Sequence, residues 1–262
     1  MRAVPALAAI AWIAVQIGYP LTAGGARDAV TIVVVLLAVA TALTHALVDR
    51  GARFAAGFLL IVSGLGLVAE MVGTATGFPF GCYHYAVDRL GPAVAGVPVL
   101  IPLAWTGGLY PVWVVAGWLA RRAPARVVLT AVGAVGWDLY LDPQMVADGQ
   151  WSWCSNRPGL PGLSHIPWTN YVGWFVVALV MAALMGLLAR AHPARGVSGA
   201  VPLVVFGWTW LGSALAHAVF LGLPASAAYG FAGLGVLGIP LAAQLGRRAR
   251  RVPLDPACHG TM

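Results

Sequence analysis

Apolar residues in this chain come in long runs. Runs close to the ~20 residues that carry a helix across a bilayer core recur at 3–21, 29–48, 54–76, 97–120, 127–146, 171–189, 200–221 and 226–245. The pattern predicts an all-α fold, a polytopic transmembrane helix bundle of about eight spans. The stretches between the runs are short and rich in Arg, Pro and Gly, which end helices or mark span boundaries. Two stretches are too rich in Pro and Gly to cross a membrane: 88–98, read as a connection with a short re-entrant character, and the loop from Trp151 through Pro158, Pro161 and Pro167.

Composition strengthens this picture. Of 262 residues, 60% are hydrophobic and 9% charged, far from the ~45–50% and ~25% of soluble domains. The net charge of +7 raises the question of nucleic acid, but all basic residues are Arg and they sit at span ends, so a nucleic-acid partner is excluded. With the N-terminus inside, twelve arginines fall on the cytoplasmic side and three (Arg27, Arg89 and Arg157) outside. Such an asymmetry sets orientation. Both termini are therefore expected in the cytoplasm of a multi-pass protein of the cell membrane. Residues 1–246 read as one transmembrane domain and 247–262 as a basic, disordered tail suited to anionic headgroups. A cleaved leader is the competing reading of the first run; its length, Trp12 and Pro20 argue against it.

Candidate chemistry gathers at the outer span ends. The run Gly77-Phe78-Pro79-Phe80-Gly81-Cys82-Tyr83-His84-Tyr85 is a poor lipid-facing helix and a good shaped loop. Glu70 lies about two turns before it, and an ionisable group inside an apolar span is by default a functional candidate. Asp138 and Asp142 are four apart, so they share one helix face about 6 Å apart along the axis. Asp142 precedes Pro143 and has an alternative reading as a cap of a broken helix end; Asp138 has none. Trp105, Trp137, Trp153 and Asn170 map to the same outer region, as does His217, for which a buried, hydrogen-bonded histidine is the plainer account. His45 and Gln16 read as packing residues, and Gly57, Gly64 and Gly66 as close helix contacts.

Cys82 and Cys154 fall in two outer loops. Two free thiols are expected, with a disulfide as the alternative, because no spacing fixes their separation. No paired-Cys or phosphate-cradling motif is present, no two histidines stand at helical ligand spacing, and no metal is expected.

Glu70, the run Gly77–Gly81 with Tyr83 and Tyr85, Trp137-Asp138-Leu139 with Asp142-Pro143, Trp151-Ser152-Trp153, and Trp168-Thr169-Asn170-Tyr171 with Gly173-Trp174 together resemble the carotenoid hydratase membrane family, over most of the chain. The resemblance implies cofactor-free addition of water across the terminal C1–C2 double bond of an acyclic carotenoid. It implies a lipophilic carotenoid substrate and membrane lipid as partners, and makes other enzymes of the pathway candidate partners. Such hydration needs a proton at C2, a stabilised cation at C1 and a positioned water. Glu70 and Asp138 are the candidate proton donors, Asp142 the residue that orients water. Phe80, Tyr83, His84, Tyr85, Trp105, Trp137, Trp153, Asn170 and His217 are the expected substrate-binding set. A proton-coupled transporter and a non-catalytic carotenoid-binding protein are the rival readings; the first is disfavoured because the acids cluster near one face and the chain shows no repeated halves.

Overall fold

The computed structural model describes residues 3–154 and 158–250. Eight α-helices make the bundle: α1 (Val4–Gly18), α2 (Gly24–Arg50), α3 (Ala52–Thr76), α4 (Leu100–Leu119), α5 (Ala123–Ala147), α6 (Trp168–Ala191), α7 (Ala200–Leu215) and α8 (Pro224–Ala249). A 3₁₀ turn, Tyr19–Leu21, extends α1, and a π turn, Ala216–Phe220, extends α7. Each expected span is thus a helix, and the all-α bundle stands. Seven of the eight are long and apolar enough to cross a membrane, which makes the chain a multi-pass membrane protein. The exception is α5, which at 25 residues is long enough but carries both buried aspartates.

Two tight links lie at the end of the bundle where α2 and α4 finish. Only Gly51, at φ 94°, separates α2 from α3; that positive φ suits glycine and spares a bulkier residue's strain. Three residues join α4 to α5. The longer connections, after α3 and after α5, lie at the opposite end and hold short antiparallel pairs. β1 (Tyr83–Tyr85) pairs with β4 (Trp151–Trp153), β2 (Ala93–Val94) with β3 (Val97–Pro98), and β5 (Gly159–Leu160) with β6 (Leu163–Pro167). The segment read as re-entrant is the β2–β3 hairpin.

The core sits around α4, which packs on α2, α3, α5 and α7 and buries Trp105, Leu109, Tyr110, Trp113 and Val115 almost completely. α5 lies against α6 and α8, and Gly136 meets Gly233 so closely that a methyl on either would touch backbone at 2.7 to 2.8 Å. Small residues allow this approach where lipid gives helices no hydrophobic drive to associate. On α3, Gly57 meets Leu188 and Gly66 meets Trp105, whereas Gly64 faces open space and serves no contact. His45 bonds the Tyr110 hydroxyl (2.9 Å) and the Ser198 carbonyl (3.1 Å), and Gln16 accepts from the Trp208 indole at 2.7 Å; both are packing residues. Helix α8 runs through Ala249, three residues into the stretch read as tail; residues 251–262, like Arg157 and Arg2, lie outside the described residues.

Candidate active site

The site is built from four helices, α3 to α6, and the two loops that carry β1 and β4. α3 brings Glu70 to its last two turns, where the carboxylate is buried. Burying a carboxylate is costly unless its lone pairs are met, and three donors meet them. The Trp105 indole donates to Oε1 at 3.1 Å, and the Tyr83 and Tyr85 hydroxyls donate to Oε2 at 2.5 and 2.7 Å. Strand alternation explains why both tyrosines reach it: Tyr83 and Tyr85 share one face of β1, and His84 takes the other. Burial pushes both phenols above their usual range, so they stay protonated and donate.

The β1–β4 ladder sets this geometry. Tyr83 stands opposite Trp153 and Tyr85 opposite Trp151, with ring centroids 4.9 and 5.5 Å apart. One residue beyond the ladder, Cys82 and Cys154 form a disulfide with Cα atoms 5.3 Å apart. The expectation of two free thiols is therefore wrong: register across the ladder brings the cysteines together, and a distance that spacing along the sequence left open is fixed by pairing. Phe80 is held in a slot between α3 and α6, since a methyl at Gly73 would lie 2.9 Å from its ring and one at Gly173 2.7 Å.

α5 supplies the other acids. Asp138 is fully buried and Asp142 nearly so, and the single side-chain amide nitrogen of Asn170, on α6, donates to Oδ2 of both, at 2.8 Å to Asp138 and closely to Asp142. The second oxygen of Asp138, Oδ1, is buried with no partner. Among the described residues no arginine or histidine bonds any of the three acids.

Glu70, Asp142 and Asn170 line a cavity of about 500 Å³ with Phe80, Tyr83, Tyr85, Trp105, Trp137 and Trp153. Asp138 stands behind Asp142 and is not part of the wall. Trp137 fits over Gly108, where a methyl would lie 2.3 Å from the indole. Two expected binding residues are elsewhere. His84 is exposed on the far face of β1. His217 is buried in the π turn, bonding Ser226 Oγ at 2.8 Å and Gln144 Oε1 at 3.0 Å, and does not reach the wall. Among residues the sequence reading missed, Trp174 stacks on Trp105 at 3.7 Å and meets Trp137 edge-on. It stands four residues after Asn170 on α6, so a shared helix face was the available signal. Trp151, Tyr19 and Gln144 also line the cavity.

The acids and the aromatic rings thus meet at an apolar cavity in a multi-pass membrane protein. The chain belongs to the carotenoid biosynthesis protein family, whose model matches residues 29–237. It is 35% identical over 143 residues to a bisanhydrobacterioruberin hydratase of Haloarcula japonica, an alignment covering 53% of this chain and 46% of that one. The chain therefore matches about half the length of this relative. No solved structure matches it.

Proposed function

We propose that this chain is a carotenoid hydratase of the cell membrane, adding water across the terminal C1–C2 double bond of an acyclic carotenoid end group by acid catalysis and without a cofactor. The observation that carries the reading is the meeting of three carboxylates and a ring of aromatic side chains beside an apolar cavity, with no basic group among the described residues bonded to the acids. Family membership and the hydratase relative support it.

Asp138 and Asp142 share one amide donor, and two carboxylates so close and so far from water hold one proton between them more readily than two charges. Asp142, at the wall, delivers that proton to C2, which moves the donor's role from Asp138 to its partner. The tertiary cation left at C1 faces Trp105, Trp137 and Tyr83, and each aromatic face offsets positive charge by ~0.5–2 kcal/mol. Glu70, fixed by three donors, faces the same space. It attracts the cation and accepts a proton from the water whose oxygen bonds to C1. One C–H and one C–O bond form, the π bond and one water O–H bond break, and the proton on Glu70 returns to the aspartate pair. The hydroxyl oxygen comes from water. The test is expression in a host that makes acyclic carotenoids, with growth in heavy-oxygen water: a tertiary alcohol carrying the label is expected, and an oxygen derived from molecular oxygen would refute hydration.

A further inference from the structure

The cavity reaches past the acids along α1 and α7, and the exposure of its lining is uneven. Ile17, Leu21, Leu215 and Phe220 are 56, 80, 58 and 60% exposed, while the acids and the tryptophans near them are buried or half-buried. These four are large and apolar, and they sit on two elements: the end of α1 with its 3₁₀ turn, and the end of α7 with its π turn. Farther from these ends Trp12 packs with Val205, and the hydrogen bond from Trp208 to Gln16, the residue before Ile17, ties the two helices and bounds the gap on that side. One turn beyond Trp208, Gly212 and Ser213 also line the cavity, the first lying under the Trp208 ring. A π turn widens a helix locally and is common at functional sites.

The geometry points to a lateral portal between the ends of α1 and α7 through which a linear polyisoprenoid enters from the hydrocarbon layer, end group first. This rests on the hydratase reading for the identity of the ligand and deepens it. Four exposed aliphatic and aromatic side chains around an opening in a membrane-embedded wall face acyl chains, and water has little reason to fill such a mouth. About 500 Å³ is the size of a site for a drug-sized ligand (~300–1,000 Å³). It takes an end group with the first part of its polyene, and the rest of a long chain remains among the lipids. A site of this form selects for a slim, acyclic end and is indifferent to how far the tail extends.

The test uses the full chain in lipid nanodiscs with Cys258→Ser, so that the disulfide-bonded Cys82 and Cys154 are the only other cysteines. Single variants Ile17→Cys, Leu215→Cys and, as control on the lipid face of α3, Leu60→Cys (Leu60 is 73% exposed) are compared before and after alkylation with a bulky maleimide. Two readouts are taken: quenching of tryptophan fluorescence by an added acyclic polyene, and conversion of that polyene. Alkylation at 17 or 215 is expected to cut both at least tenfold, and alkylation at 60 to leave both within twofold. No effect at 17 and 215, an equal effect at 60, or no quenching in the unmodified protein overturns the portal. Quenching that responds as expected without any hydrated product would instead sink the hydratase reading and leave the portal standing.

Discussion

Two acidic clusters stand at the same end of the bundle, and they are neutralised in opposite ways. In one, every acid meets a guanidinium. Arg89 forks onto Asp28 at 3.0 and 2.6 Å, Arg27 bonds Asp148 at 2.6 Å, and Gln150 and Tyr19 complete the coordination of the two aspartates. This cluster ties the start of α2, the loop after β1 and the end of α5, and its charges cancel. In the other, Glu70, Asp138 and Asp142 meet only neutral donors: two phenols, an indole and an amide. A carboxylate locked to arginine has no use for a proton, whereas acids stabilised by neutral groups can gain and lose one with little structural change. The contrast separates residues that hold the fold from residues that can do proton chemistry, although all are acids near one membrane face.

The strongest way to break the comparison is to remove ionisable protons from the second cluster while keeping shape. Asp142→Asn, Asp138→Asn and Glu70→Gln should each lower conversion ~10²–10⁴-fold, the usual worth of general acid–base catalysis, with polyene quenching of tryptophan fluorescence retained. Wild-type product levels from Asp142→Asn would remove it as the donor. A smaller effect is expected from geometry alone. In Gly73→Ala the new methyl would lie 2.6 Å from the Tyr83 hydroxyl and 2.9 Å from the Phe80 ring, so the phenol shifts off Glu70; misplacement on that scale costs up to roughly 10²-fold, read as lost turnover per folded molecule alongside a lower melting temperature from overpacking. The first cluster should respond the other way. Asp28→Asn weakens a half-buried ion pair worth about 1–2 kcal/mol, so Tm falls by a few degrees, more at low salt than at high, and turnover per folded molecule stays within twofold. A catalytic defect at Asp28 with normal Tm would erase the distinction between the clusters.

Much of the bundle was readable from the chain. Each apolar run became a helix, with ends displaced by a few residues where caps rather than hydropathy decide them. Asp138 and Asp142 announced themselves by spacing on one face, and Glu70 by its isolation in an apolar segment. What was hidden depended on pairing between distant segments. Three-residue strands carry too little periodicity to declare themselves, so the β1–β4 ladder, and with it the Cys82–Cys154 bond and the way both tyrosines reach Glu70, has no local sign. The exclusion of His84 was nonetheless legible, because in an extended Tyr-His-Tyr the middle side chain must leave the face the outer two share. His217 depended on the π turn, which redirects one residue by a local change of helical pitch that no hydrophobic pattern records.

The weak apolarity of α5 has a consequence for how the protein is made. A central aspartate costs a helix about 2.5–3.5 kcal/mol on insertion, and α5 carries two in its C-terminal half. Its partners α6 and α8, including the Asn170 amide that bonds both aspartates, emerge from the ribosome only after it. Of its main neighbours only α4 is already made when α5 leaves the ribosome, so a chain truncated before α6 is expected to hold α5 across the bilayer less completely than the full chain, a difference that glycosylation mapping of the two would read.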